Sequence, residues 1–201
     1  MTVLKTVLVA GVTPGVGKTL VLNGLQTYWQ RHYPDQSLEQ MVFPTLTPKA
    51  LEQGLEPELG PLWRSLCQTQ QTVELLGIEG EGSLASPITQ DTTLATLAKE
   101  WRLPVLLVVP VDWEAIAPTI ATLALAREAN VTLVGVILNQ VQSSPNIAPE
   151  AMVESLRAFA HVPILGCIPF LEQPEDDEVL VNLASQLMLD AVIDKIEPLK
   201  T

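Results

Sequence analysis

One stretch constrains this chain more than any other. Gly11 to Thr19, GVTPGVGKT, stands between a β-branched apolar run, Val3–Ala10 (VLKTVLVA), and a helical stretch from about Lys18 to Arg31. Strand, glycine turn, Lys-Thr and helix start, in that order, are the context a phosphate-binding loop requires. The glycines let successive backbone N–H groups turn inward around an anion. The helix N-terminus adds partial positive charge at the same place. On this reading Lys18 reaches the terminal phosphates and Thr19 offers its hydroxyl to Mg²⁺. A glycine-rich turn that binds nothing has the same composition; the register of all four elements favours nucleotide binding. Gly11 to Gly17 encloses five residues, one more than the usual GxxxxGK. Partition-type ATPases place a second lysine early in this loop, where this chain has Thr13.

Beyond the loop, short apolar runs alternate with longer amphipathic stretches. Strands are expected at Glu74–Ile78, Val105–Val111, Thr132–Leu138 and Pro163–Ile168. Helices are expected at Thr93–Trp101, Ala115–Ala129, Pro149–Ala160 and Val179–Ile193. Strands that are apolar throughout need cover on both faces. Regular alternation with helices means right-handed crossovers and a parallel sheet. The expected fold is α/β: a doubly wound, mainly parallel sheet with helices on both faces, of the P-loop NTPase type, as one domain over residues 1–201. Gln36 to Leu62 breaks the pattern. It carries Pro44, Pro48, Pro57 and Pro61, and reads as a loop region with only a short strand, Gln40–Phe43.

Composition removes several classes of function. Hydrophobic residues make up 47% of the chain and charged residues 17%, a core-rich globular balance rather than a disordered one. No apolar run is long enough to span a bilayer, and MTVLKTVLVAGV runs straight into the glycine turn without a signal-peptide cleavage site. A net charge of −12, with only 11 Lys and Arg, argues against nucleic acid as a partner. Cys67 and Cys167 lack disulfide or metal spacing and read as reduced thiols of a cytoplasmic protein.

Two further positions carry chemistry. Glu79 lies in IEGEG, at the end of the second strong strand. A carboxylate there faces the ligand crevice of a parallel sheet and can hold Mg²⁺; a solvated turn carboxylate is the alternative, and the better reading for Glu81. Asn139 follows LVGVIL at another carboxyl end, where its amide has the donor and acceptor to pair with adenine, or simply forms a turn. His32 and His161 read as structural, and Trp29, Trp63, Trp101 and Trp113 as partly buried packing residues.

With these sites in view the sequence resembles the dethiobiotin synthetases. That family's loop, GTDTxVGKT, encloses the same five residues, and its VEGAGG is similar to Ile78–Ser83, IEGEGS. Its LPV strand, its N-x-V and its LGxIP-x-L resemble Leu103–Val111, Asn139–Val141 and Leu165–Leu171. The likeness runs almost continuously from Leu75 to Leu171 and over the first thirty or so residues. It implies ATP and Mg²⁺ as cofactors, with Lys18 catalytic. It also implies nucleotide contacts at Gly15, Val16, Gly17, Lys18, Thr19, Leu20, Asn139 and Pro169, and metal ligands at Thr19 and Glu79. The implied reaction carboxylates 7,8-diaminopelargonic acid with CO₂, phosphorylates the carbamate and closes the ureido ring, in a homodimer with the diamine near the interface.

The chain departs from the family at charged positions. Phe43 stands where the family has the lysine of KP-x-x-[ST]-G beside the transferring phosphate. The Pro44–Glu74 segment is shortened, which by the same resemblance removes a metal-binding Asp and part of the substrate wall. Thr13, Pro14 and Gly15 replace the Asp, Thr and acidic loop positions; Asp112 replaces a lysine, and Glu81 an alanine. Each of the changes at Phe43, Asp112 and Glu81 removes positive or adds negative charge around a reaction catalysed by charge stabilisation. The leading expectation is a ligase of lowered activity; the alternative is a non-catalytic nucleotide-binding relative that acts as a regulator or assembly partner.

Overall fold

The computed structural model describes residues 5–173 together with Leu180, Leu187 and Ile193. Six strands form one sheet: β1 (Lys5–Gly11), β2 (Leu38–Phe43), β3 (Leu75–Ser83), β4 (Val105–Pro110), β5 (Leu133–Asn139) and β6 (Ile164–Ile168). Their order is β2-β3-β1-β4-β5-β6 and every pairing is parallel. The continuous apolar runs explain this arrangement, because alternate residues of each strand must be buried on opposite faces. Val7 and Val9 of β1 pack with helix α1 (Lys18–His32) through Val21, Leu22 and Leu25. Leu8 and Ala10 face the other way, into a larger core. That core takes Leu66 of α3 (Leu59–Gln70), Leu94 and Leu97 of α4 (Leu94–Glu100), Leu123 of α5 (Ile116–Glu128) and Met152 and Leu156 of α6 (Pro149–Ala160). The doubly wound α/β fold is therefore as expected.

The chain leaves β1 through α1 on one face and leaves its neighbour β4 through α5 on the other. Adjacent strands whose connections diverge in this way open a crevice at their carboxyl ends. The glycine loop after β1 lies there.

The expected loop at Gln36–Leu62 is corrected. The short strand expected at Gln40–Phe43 is present within β2, but the rest holds a short helix α2 (Pro48–Glu52) and the start of α3. Two of its four prolines, Pro48 and Pro61, stand in first turns, where a missing N–H costs nothing. Pro48 follows the N-cap Thr47, whose hydroxyl accepts from the N–H of Ala50 at 3.2 Å, and Pro61 is the third residue of α3. Leu66 and Gln70 are the buried residues of α3, and Gln70 Nε2 donates to Thr6 Oγ1 at 2.8 Å. The second strong strand is also longer than expected. It continues through IEGEGS, so Glu79 is a strand residue, paired with Val9 on one side and Val42 on the other. Apart from Leu180, Leu187 and Ile193, the C-terminal helix expected at Val179–Ile193 lies outside the described residues. Leu180, Leu187 and Ile193 are buried on the α1 face.

Candidate nucleotide site

The loop has its conformation because two of its glycines occupy the left-handed region that side chains disfavour, Gly15 at φ 73° and Gly17 at φ 89°. A Cβ on Gly17 would also stand 2.2 Å from Asn139 Nδ2. Gly11 is also closely packed, since a Cβ there would lie 2.7 Å from Val16 Cγ2. The helix begins at once, with Val21 N–H donating to Gly17 O. Val16 closes the turn at Pro14–Gly15; among the described residues, the backbone N–H groups of Gly15, Gly17, Lys18, Thr19 and Leu20 make no hydrogen bond. A run of such donors at a helix N-terminus is complementary to a polyphosphate.

Lys18 lies in the same turn. It is only 6% exposed and forms no hydrogen bond or ion pair among the described residues. An ammonium held out of water without a carboxylate partner is poised for an anionic ligand. Beside it, Thr19 Oγ1 donates to Glu79 Oε2 at 2.8 Å. Glu79 reaches Thr19 because it sits on the α1 face of β3, in alternation with Leu75 and with Gly77, which packs against Leu22. Hydroxyl and carboxylate together are a hard oxygen pair of the kind Mg²⁺ uses when phosphate oxygens and water complete its shell. Among the described residues, no group of three or more His, Cys, Asp or Glu gathers to hold a metal by itself. The donor set thus fits Mg²⁺ carried in with a polyphosphate.

Sequence reasoning places Asn139 toward the base; the structure shows a contact it did not anticipate. Asn139 is 4% exposed, and its Nδ2 donates to the carbonyl of Val16 at 2.8 Å. No spacing in the chain signals a contact between residues so far apart. Leu20 is half-buried and Pro169 is exposed just beyond β6.

The opposite side of the crevice differs from expectation. Phe43 is fully buried in the larger core, on the sheet face away from α1, with its ring edge-on to Trp101 at 5.5 Å. Its register partner Gly80 lies on that face too, against Leu94 and Leu8. Glu81 Oε2 accepts from Thr45 N–H at 3.2 Å. Asp112 is engaged in capping: its Oδ1 accepts from Glu114 N–H at 2.8 Å and from Asn146 Nδ2 at 3.0 Å, while Asn146 Oδ1 accepts from Trp113 N–H. Trp29 and Trp101 pack as expected, but Trp63 and Trp113 are exposed, Trp113 by 64%. His32 stacks on Tyr28 and His161 ends α6 in a left-handed cap, both structural roles. Cys67 and Cys167 are free and half-buried; burial, with a smaller push from Glu150, raises the Cys167 thiol above its ordinary value, so it stays protonated. No helix among the described residues is long and apolar enough to cross a membrane.

Comparison with known proteins agrees with this fold. The fold is shared with a ParA family ATPase from Chlorobium tepidum (TM-score 0.63, 11% identity, 96% of this chain and 99% of that one). It is shared also with the MinD cell division protein of Aquifex aeolicus (TM-score 0.62, 13% identity, 98% and 100%). Residues 33–178 match the family model described as AAA domain. Similarity in sequence points elsewhere within the fold. The ATP-dependent dethiobiotin synthetase of Crocosphaera subtropica is 35% identical over 93% of this chain and 99% of its own length, and that of Synechocystis sp. is 34% identical over 87% and 88%. The first alignment runs over 221 positions, more than this chain has residues, so the relative carries insertions. With the loop, Lys18, the Thr19–Glu79 pair and this near full-length identity taken together, the chain belongs to the AAA domain family and to the dethiobiotin synthetases.

Proposed function

We propose that the protein is an ATP- and Mg²⁺-dependent ligase that carboxylates and ring-closes 7,8-diaminopelargonic acid to dethiobiotin, in the cytoplasm, with turnover lowered by its apolar β2 edge. The observation that carries this reading is the Thr19–Glu79 contact beside a run of unmatched loop N–H groups, in a chain aligned with synthetases over nearly its whole length. The N–H groups of Gly15 and of Gly17 to Leu20 bind and orient the phosphates. Lys18 neutralises charge that develops on the terminal phosphate during transfer, a contribution that grows in a crevice shielded from water. Thr19 and Glu79 hold the Mg²⁺. Asn139 and Pro169 border the base. Bound ATP supplies the phosphoryl group that turns the carbamate oxygen into a leaving group for ring closure.

A homodimer is part of the proposal. Its support is the side of α5 that carries the exposed alanines Ala117, Ala121 and Ala124, next to the exposed Trp113. Light scattering at tens of micromolar should return twice the chain mass; a monomer mass rules the dimer out. The ligase reading is tested by incubating the protein with the diamine, bicarbonate, ATP and Mg²⁺ and identifying dethiobiotin by mass. Slow but Lys18-dependent product formation is expected. ATP binding with no dethiobiotin at any enzyme concentration supports the second reading, a non-catalytic nucleotide-binding relative, which the burial of Phe43 favours.

A further inference from the structure

We propose that Asn139 is a positioning residue that locks the phosphate loop in its anion-binding shape, independently of any contact with the base. The argument begins with one peptide plane. The Val16 carbonyl accepts from Asn139 Nδ2 at 2.8 Å, and the peptide that follows it is trans. In a trans peptide C=O and N–H point in opposite directions. Fixing Val16 O against Asn139 therefore turns Gly17 N–H away from Asn139, to the opposite side of the loop, where it is free to serve an anion. Were this peptide to flip, a carbonyl oxygen would replace a donor at the anion site.

Nothing in the loop itself prevents the flip. Gly17 has the widest backbone freedom of any residue type, and Gly15, two residues earlier, has the same freedom. The restraint comes from outside, from a side chain that is 4% exposed and held at the end of β5, the second strand from β1 in the sheet. The fit is close on both sides: a Cβ on Gly17 would stand 2.2 Å from the same Nδ2 that holds Val16. Gly17 is thus required for space as well as for its φ of 89°. The carbonyl and the amide are separated by 123 positions in sequence, so the brace exists only in the folded sheet.

This inference rests on the reading of the loop as a nucleotide site, and a ligand without a base separates the two. Calorimetry with Mg²⁺ and either ATP or inorganic tripolyphosphate is carried out on wild type and on Asn139→Ala, with folding followed by far-ultraviolet circular dichroism. Asn139→Leu, which fills nearly the same volume without a donor, gives the answer if the alanine variant does not fold. A brace predicts that affinity for ATP and for tripolyphosphate falls by a similar factor, about tenfold for a lost buried hydrogen bond. Loss for ATP alone, or lowered stability with unchanged tripolyphosphate affinity, overturns the brace and leaves nucleotide binding intact. Wild type that binds neither ligand overturns the nucleotide reading and the brace with it.

Discussion

The two sides of the crevice have been built to different ends. On the α1 side of the sheet, backbone donors, one buried ammonium and a Thr–Glu pair meet within a single turn of helix and one strand. At the β2 edge, the position that resembles the family's second lysine is Phe43, and its ring packs with Trp101, which in turn meets Trp63 at 5.0 Å. One side keeps charge and unmatched donors, which destabilise a protein unless a ligand uses them. The other has exchanged charge for apolar packing, which stabilises the fold and contributes nothing to an oxyanion. On the reading proposed above, the comparison predicts that phosphate binding and phosphoryl transfer separate in this one site.

The largest expected effect is on the packed side. Phe43→Ala should cost about 3–5 kcal/mol of stability, read as the shift in urea midpoint, while ATP affinity of the folded protein stays within about twofold. Phe43→Lys should cost at least as much, because it also places an ammonium among Leu8, Ile78 and Leu94. Restoring the lysine alone is therefore a poor route to restored turnover. A Phe43→Lys protein as stable as wild type would show that this edge is not a packed core.

Next comes Lys18→Ala. Loss of a charged contact to phosphate should weaken ATP by roughly 10–100-fold by calorimetry. Without nucleotide, the variant should melt at the same temperature or higher, because Lys18 forms no ion pair among the described residues. A lower melting temperature would mean that the ammonium serves the fold. A smaller effect is expected from Glu79→Gln, where the Mg²⁺-dependent part of ATP affinity should fall about tenfold and affinity measured in EDTA should not change. Equal losses with and without the metal would make Glu79 a structural partner of Thr19.

The smallest effect lies at the far end of β3, where Glu74 joins β2 to β3. Ser37 donates to its Oε2 from both hydroxyl and N–H at 2.7 Å, and these bonds hold the carboxyl below the ordinary glutamate value. A carboxylate lowered on folding stabilises above its unfolded pKa, and that contribution is lost as pH falls through the folded one. Stability should thus decline below about pH 4.3, and Glu74→Gln should flatten the decline without altering ATP binding. An unchanged acid limb would show that these bonds do not persist in solution.

Much of this molecule could be read before its structure because its signals are local. The runs over Thr6–Ala10 and Val105–Pro110 are buried on both faces and lie in adjacent strands, and GVTPGVGKT sits between strand and helix as such a loop must. What was missed depended on context. Pro48 and Pro61 read as breakers, yet each stands in a first turn, where proline is tolerated. The strand expected over Glu74–Ile78 runs on through IEGEGS, because Gly80 fits where Leu94 leaves no room for a Cβ. Trp113 read as a packing residue, and burial of a single tryptophan has no local signature. The Asn139–Val16 bond has none either, since it joins the end of β5 to the loop after β1, brought together only by the sheet.

The most direct test of the central claim measures binding and chemistry on one sample. ATP·Mg²⁺ affinity is determined by calorimetry, and the same protein is followed through a single turnover with the diamine and bicarbonate. A synthetase that carries the lysine at the position of Phe43 serves as reference. The account predicts clear heat of binding, abolished or greatly weakened by Lys18→Ala, together with dethiobiotin formation about 10²–10³ slower than in the reference, the range expected for one lost charge-stabilising donor. Turnover equal to the reference, or no binding of ATP at millimolar concentration, would contradict it.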